Sequence, residues 1–443
     1  MNSADLGRRV GVPSTALFTD QYELTMVQAA LKAGTAGRHS VFEAFTRRLP
    51  EGRRYGVVAG TGRVLDAVEN FHFDDEIIGF LRQQDIVDEP TLEWLAGYRF
   101  SGDIWGYPEG EVYFPGSPIL RVESSFAECV LLETVILSIL NHDSAIAAAA
   151  SRMSAAAGGR RLIEMGARRT HELSAVASAR AAYVGGFDAT SDLAAGFRYG
   201  IPTVGTSAHA FTLLHDTERD AFRAQVDSLG RGTTLLVDTY DVSEAVRAAV
   251  EIAGPELGAV RIDSGDLLLV AHRVRQQLDE LGATGTKIVV TSDLDEYAIA
   301  SLAAAPVDAY GVGTQLVTGS GHPTCSMVYK LVARAGGSGD AGAPLVPVAK
   351  KSLGAKSSVG GRKWAARRVD GHGVAEAEVI GTGAVPEELA GRELQVELVR
   401  GGQVVAREPL EAPRERHVSA RAGLPMSAMQ LSRGEPVLGT EYV

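Results

Sequence analysis

The sequence predicts an α/β protein: an irregular (β/α) barrel-like domain joined to a mixed α+β domain built from the N- and C-terminal segments. Two observations predict this class. Between residues 202 and 316 one pattern recurs five times, a short apolar run, then a loop of Gly, Ser, Thr and Asp, then a helical period. Strands that alternate with helices make a parallel sheet or barrel, because a parallel connection needs a helix-length crossover. On either side of that region the patterns are short, mixed and rich in turn residues, as in an antiparallel α+β fold.

Taken in order, residues 20–33 have the period of an amphipathic helix, with Leu24, Val27, Gln28 and Leu31 recurring at threes and fours. Residues 39–45 alternate like a strand. Residues 100–122, rich in Gly, Pro, Tyr and Val, predict a small antiparallel sheet with turns at Pro108-Glu109-Gly110 and Pro115-Gly116. A long helix follows over 129–157, stopped by Gly158-Gly159, and Arg161-Leu162-Ile163-Glu164-Met165 begins the alternating series. Its later runs end in Val204-Gly205-Thr206-Ser207-Ala208-His209, Leu236-Val237-Asp238-Thr239, Arg261-Ile262-Asp263-Ser264-Gly265-Asp266, Val290-Thr291-Ser292-Asp293 and Tyr310-Gly311-Val312-Gly313-Thr314. Residues 266–281 display the helical part, with Leu267, Val270, Val274, Leu278 and Leu281 on one face. The stretch 335–344 lacks large apolar side chains and reads as a flexible connection. Beyond it, residues 350–368 are locally basic (Lys350, Lys351, Lys356, Arg362, Lys363, Arg367, Arg368) and read as a solvated hairpin or, second to that, as a substrate contact. Strand-like runs such as Leu394-Gln395-Val396-Glu397-Leu398-Val399 continue from there. The expected domains are 1–128 together with 350–443, and 129–349.

A chain of 443 residues exceeds one ordinary core, and 45% apolar with 22% charged residues is a globular composition. The net charge of -12 argues against nucleic acid as a partner, since a phosphate footprint needs clustered Lys and Arg. It leaves room for small anions in a local pocket. Two distant cysteines, Cys129 and Cys325, make neither a disulfide framework nor a four-cysteine zinc site, which fits a reducing cytosol. No run approaches the ~20 apolar residues of a membrane span, and residues 1–20 lack a signal-peptide core. A soluble, cytoplasmic protein is the expectation.

Ligands of parallel sheets and barrels bind beyond the carboxyl ends of the strands, where these loops lie. Gly311-Val312-Gly313-Thr314 brings two glycines and a hydroxyl to a place where backbone N–H groups can approach an anion. Arg261 and Asp263 alternate with Val260 and Ile262, so they project the same way; they suit an ion pair, or a sugar phosphate gripped by a guanidinium fork and a carboxylate. His209 opens a helical pattern among small residues, as a packed histidine or as a nucleophile that accepts a phosphoryl group. Arg168 and Arg169 are turn residues or a grip for a carboxylate. The Asp238 loop carries only a structural reading.

Together these residues resemble the nicotinate phosphoribosyltransferases, the type II phosphoribosyltransferases. The similarity runs in order through Thr19-Asp20-Gln21-Tyr22-Glu23-Leu24-Thr25-Met26, Phe42-Glu43-Ala44-Phe45-Thr46-Arg47-Arg48, Gly166-Ala167-Arg168-Arg169 and Gly205-Thr206-Ser207-Ala208-His209. It continues through Ile262-Asp263-Ser264-Gly265-Asp266, Ser292-Asp293 and the Tyr310 to Thr314 loop. The resemblance implies that nicotinic acid and 5-phosphoribosyl 1-pyrophosphate give nicotinate mononucleotide and pyrophosphate, with Mg2+ and with ATP hydrolysis coupled through a phosphohistidine. It implies that His209 is that histidine, that Arg261 and Asp263 meet the phosphoribosyl group, and that Ser292 and Asp293 line the ribose pocket. Gly311, Gly313 and Thr314 would hold the 5-phosphate. Tyr22 would stack on the pyridine across a homodimer interface that shares active sites, with Arg168 beside nicotinate and pyrophosphate; Arg47, Met165 and Thr206 complete the implied substrate contacts. Met165 stands where the family usually has an aromatic residue, and Ala210 where a Glu often follows the histidine.

Related nicotinamide and quinolinate phosphoribosyltransferases are the near alternatives, and a paired Arg168-Arg169 favours an acid substrate over an amide. A barrel lyase or isomerase would need a strand-end lysine or carboxylate base, and Lys287 lies at the wrong end of its strand.

Overall fold

The computed structural model describes residues 13–337, 339–350, 358–386 and 391–443. The chain divides into two compact units, Met1–Ser144 with Thr324–Val443, and Ala145–Pro323.

The Ala145–Pro323 unit is a six-stranded, wholly parallel sheet. Its strands are β1 (Arg161–Glu164), β2 (Ala189–Thr190), β3 (Thr234–Leu236), β4 (Ala259–Ile262), β5 (Lys287–Val290) and β6 (Ala309–Val312). They lie side by side in the order β2-β1-β6-β5-β4-β3. The sheet is open, a half-barrel, with β2 and β3 at its edges. Register is continuous across the centre: Leu162 lies beside Tyr310, Val289 beside Ala309, and Ile288 beside Val260. Leu235, Val260, Ile262, Ile288, Val290 and Tyr310 are buried, as in a sheet covered by helices.

Helices return the chain between strands, and Asp side chains start several of them. Asp192, Asp241, Asp266 and Asp295 each accept hydrogen bonds from backbone N–H groups of the helix that follows. Gly200, at φ 72°, closes the Leu193–Tyr199 helix where a side chain would be strained. The Leu267–Glu280 helix buries Val274 and Leu278 of the predicted stripe together with Ala271, and Leu267, Val270 and Leu281 are half-buried beside them.

Three expectations change. The run before His209 is not a regular strand; it makes a single parallel bridge, Thr190 with Thr203, and Pro202 has no N–H to extend the ladder. The barrel-like unit ends at Pro323, because Met327–Ala335 pairs antiparallel with His39–Thr46 in the other unit, Glu43 beside Lys330. Met327–Ala335 and Leu345–Pro347 therefore form a hairpin, Ala335 beside Leu345, across the predicted connection, and the first boundary falls after Ser144, inside the Glu133–Ala157 helix. That helical stretch, Phe126–Ala157, is also long and apolar enough to cross a membrane by length and composition. Most of its apolar window is buried inside the protein, as in a core helix.

The unit formed by both termini carries a seven-stranded sheet, in the order Leu345–Pro347, Met327–Ala335, His39–Thr46, Leu120–Ser125, Asp103–Gly106, Val396–Arg400, Gln403–Val404. A four-stranded sheet contains Lys363–Val369 and Ala375–Thr382. Here the described end of the basic stretch corrects the expectation: Lys363–Val369 is a strand whose Lys363 and Arg367 are buried, paired with Glu43 at 2.9 Å and Glu378 at 2.6 Å. Arg362 and Arg368 reach Glu123 and Glu441. Lys351 and Lys356 lie outside the described residues.

Candidate active site

Because every strand of the half-barrel is parallel, the residues that follow β1 to β6 share one rim. Asp238, just past the edge strand β3, anchors one end of this rim. Its side chain is only 2% exposed, and both of its oxygens are used. Oδ1 lies 3.2 Å from Nε2 of His209. Oδ2 accepts the backbone N–H of Asp263 at 2.9 Å and the hydroxyl of Ser264 at 2.7 Å. One buried carboxylate thus ties the histidine to the loop after β4. His209 opens the short His209–Leu214 helix and its imidazole is 41% exposed, so one ring edge is fixed and the rest is accessible.

The loop after β4 is held from its other side. Thr291, the first residue past β5, donates its hydroxyl to Oδ1 of Asp263. Arg261 donates from Nη2 to the carbonyl of Ser207 at 3.1 Å, which braces the segment leading to His209. The Nε of Arg261 is buried without a hydrogen-bond partner among the described residues. Burial lowers the pKa of this guanidinium, and the nearby Arg168 lowers it further against the opposing influence of Asp263 and Asp238. A desolvated cation with an unused donor suits an anionic ligand.

Negative charge gathers near the histidine. Glu218, at the start of the Glu218–Leu229 helix, is pushed up to about 7 by burial and by the charges of Asp241 and Asp238. Past β1, Glu164 is buried and its pKa is raised by that burial; it accepts the N–H of Gly166 and, at 2.5 Å, the hydroxyl of Thr190 from β2. Those bonds shape the turn that carries Met165 and Arg168. Met165 covers the β6 strand end: a Cβ on Gly311 would lie 2.7 Å from its Sδ and 2.6 Å from Cγ2 of Thr291. A Cβ on Gly166 would come within 3.1 Å of the Gly313 carbonyl. Glycine at 311 is what lets the β1, β5 and β6 ends converge. Ser292 holds φ at 145°, a strained conformation for a residue with a side chain and of the kind found at binding sites.

The rim therefore gathers Arg261, Asp263, Ser292, Asp293, Gly311, Gly313, Thr314, Met165 and Arg168 at or just beyond the ends of β1, β4, β5 and β6, while His209 and Thr206 come from the irregular segment after the Thr190–Thr203 bridge, tied in through Asp238 and Arg261. Arg168, Thr206, Ser292 and Asp293 are exposed. Tyr22 and Arg47 belong to the other unit. Tyr22 is half exposed on the Gln21–Lys32 helix, and Arg47 follows His39–Thr46 with its guanidinium 5.6 Å from the Phe45 ring. Lys287 sits at the amino end of β5, paired with Asp308 at 3.2 Å, remote from Schiff-base chemistry at the rim.

Among the described residues no three His, Cys, Asp or Glu side chains form a metal cage. Mg2+ in phosphate chemistry takes one or two carboxylates and completes its shell with water and substrate oxygens; Asp263 and Asp293 are the carboxylates on the loops after β4 and β5.

Sequence reading missed Asp238, Ser264 and Thr291. Each is a common strand-end residue, and in the same series Asp241, Asp266 and Asp295 are only helix caps. Nothing local separates a capping Asp from one that bridges two loops.

Comparison with known proteins is consistent with this geometry. Residues 17–141 match the model of the nicotinate phosphoribosyltransferase (NAPRTase) N-terminal domain. The chain is 55% identical to nicotinate phosphoribosyltransferase pncB1 of Mycobacterium tuberculosis over 98% of each chain. It is 39% identical to nicotinate phosphoribosyltransferase of Bacillus subtilis, over 72% of this chain and 67% of that one. The crystal structure of human nicotinic acid phosphoribosyltransferase superposes with a TM-score of 0.80 at 26% identity, covering 96% of this chain and 97% of the human one.

Proposed function

The chain belongs to the nicotinate phosphoribosyltransferase family, and from that premise we propose that it joins nicotinate to 5-phosphoribosyl 1-pyrophosphate, with ATP coupled through His209. One observation carries the reading: Asp238 connects the histidine to the Asp263 loop by three hydrogen bonds on a single rim. A phosphoryl-accepting group and a sugar-phosphate site are thereby built as one piece.

In the transfer step the pyridine nitrogen attacks ribose C1, the C1–O bond to pyrophosphate breaks, and positive character on the sugar peaks between the two events. The nitrogen carries no proton, so no general base is needed. Arg261 supplies charge toward the phosphate oxygens, and Asp263 orients the ribose and answers the developing positive charge. The backbone N–H groups from Gly313 into the Thr314–Val317 turn face the 5-phosphate. Asp263 and Asp293 would hold Mg2+, which would supply charge neutralisation for the leaving group.

In the coupling step, Nε2 of His209 is occupied by Asp238, and Nδ1 is left as the nucleophile toward the γ-phosphoryl of ATP. ADP departs, and water later removes the phosphoryl group from the histidine. Arg168 provides a cation for the nicotinate carboxylate. The proposal includes a homodimer in which Tyr22 of one copy stacks on the pyridine held by the other, and a cytoplasmic site of action, in keeping with two free cysteines.

The test is direct. Protein with nicotinate, phosphoribosyl pyrophosphate, Mg2+ and ATP is expected to yield the mononucleotide, and product with nicotinamide but none with nicotinate would reverse the substrate assignment. His209→Ala is expected to lose phosphoenzyme and ATP stimulation while retaining weak ATP-independent turnover; undiminished stimulation would remove His209 from the mechanism.

A further inference from the structure

Thr291 is nearly fully buried and sits between the two halves of the sugar-phosphate site. Its backbone N–H donates to the carbonyl of Ile262 at 2.9 Å, which extends the β5–β4 ladder by one step. Its hydroxyl donates to Oδ1 of Asp263. Its methyl packs on the other side against the bare Cα of Gly311, in the space that a Cβ there would fill and that Met165 also borders. The next residue, Ser292, turns away with φ at 145°.

We propose that Thr291 is a positioning residue for phosphoribosyl transfer, its hydroxyl setting the rotamer of Asp263 while its methyl fixes the spacing between the Asp263 loop and the Gly311 to Thr314 loop. This rests on the functional reading given above. The choice of side chain follows from the two tasks. A β-branched residue has one stiff χ1, so hydroxyl and methyl are presented in fixed directions at once. Serine would supply the hydrogen bond without the spacer, and valine the spacer without the hydrogen bond. Asp263 is only partly buried, so water would satisfy its carboxylate without Thr291 but would leave its direction free. Orientation, rather than solvation, is therefore what the hydroxyl adds.

The experiment compares Thr291→Val and Thr291→Ser with the unaltered full-length enzyme, after nicotinate mononucleotide formation by the latter has been verified. If the unaltered enzyme makes no product, the functional reading fails, independently of Thr291. Given product, Thr291→Val is expected to raise KM for phosphoribosyl pyrophosphate about 10- to 100-fold, the worth of a hydrogen bond to a charged group, with unchanged thermal midpoint and unchanged phosphoenzyme formation from ATP. Thr291→Ser is expected to restore that KM to within about threefold while raising KM for nicotinate, because Met165 and Gly311 lose their brace. Equal effects of both variants on every kinetic constant, a loss that tracks the thermal midpoint alone, or normal constants in Thr291→Val would overturn the assignment.

Discussion

Asp238 meets Nε2 of His209 with one carboxylate oxygen and holds the Asp263 loop with the other, so a single side chain links the orientation of the imidazole to the position of that loop. With a carboxylate facing it, Nε2 carries the proton and Nδ1 presents its lone pair.

Asp238→Asn reverses this arrangement at constant shape. An amide NH2 turned to His209 selects the opposite tautomer, with the proton on Nδ1, where phosphoryl transfer needs a lone pair. ATP-dependent phosphoenzyme formation is expected to fall by roughly 10²- to 10⁴-fold, with ATP-independent mononucleotide synthesis changed far less. Rapid-quench measurement of phosphoenzyme checks this, and an unaltered rate would separate Asp238 from the coupling step.

Arg261→Lys keeps a positive charge but loses the planar fork and the reach to Ser207. An ammonium cannot both hold that carbonyl and grip a phosphate. We expect kcat/KM for phosphoribosyl pyrophosphate to drop by about 100-fold with little change in KM for nicotinate. Steady-state kinetics with each substrate varied in turn decide it; a purely nicotinate-side effect would contradict the assignment.

Glu23 bears on stability. It is fully buried, accepts the N–H and hydroxyl of Thr134 and the hydroxyl of Thr19, and burial pushes it up from an ordinary 4.5 to about 7. The folded state therefore favours the protonated acid; that contribution is complete below pH 4.5 and is lost as pH rises through 7. Glu23→Gln is expected to gain stability over the parent at pH 8, by up to about 3 kcal/mol, and to gain little at pH 4. Denaturant unfolding at both pH values measures it, and a pH-independent difference would contradict the account.

His417 has the opposite pH dependence. It is buried against the carbonyl of Gly110, and burial, helped by Arg421 and Arg414, lowers its pKa from 6.5 to about 3. Unfolded chains bind this proton more readily, so the stabilisation is intact above pH 6.5 and falls by about 1.4 kcal/mol per pH unit between 6.5 and 3. In His417→Gln the slope of stability against pH over that window should be shallower by this amount. An unchanged slope would assign the acid sensitivity elsewhere.

The half-barrel was legible because its longer strands are buried apolar runs followed by helices, several of them capped, a local signal. Thr190 and its two-residue strand were missed, since a strand that short leaves no period to read. The domain boundary was misplaced for another reason: the partner of Phe42 is Leu331, and no local pattern reports a pairing that distant. At the site, His209, Asp263 and the Gly311 to Thr314 loop stood out by position and by family resemblance. Asp238 and Thr291 did not, because what distinguishes them is a hydrogen bond across strands, which composition does not encode. Lys363 and Arg367 misled for the converse reason: their charges look solvated until Glu43 and Glu378 arrive from elsewhere in the chain.

The pairing of His39–Thr46 with both Leu120–Ser125 and Met327–Ala335 also sets the order in which this protein can be made. On the ribosome the strand His39–Thr46 emerges early, finds its first neighbour in Leu120–Ser125, and then keeps one edge open while the whole of Ala145–Pro323 is synthesised. The inserted unit is continuous in sequence and can close its own core in the meantime. The nascent N-terminal sheet therefore waits with a row of unpaired backbone N–H and C=O groups along one edge, the feature that invites mispairing.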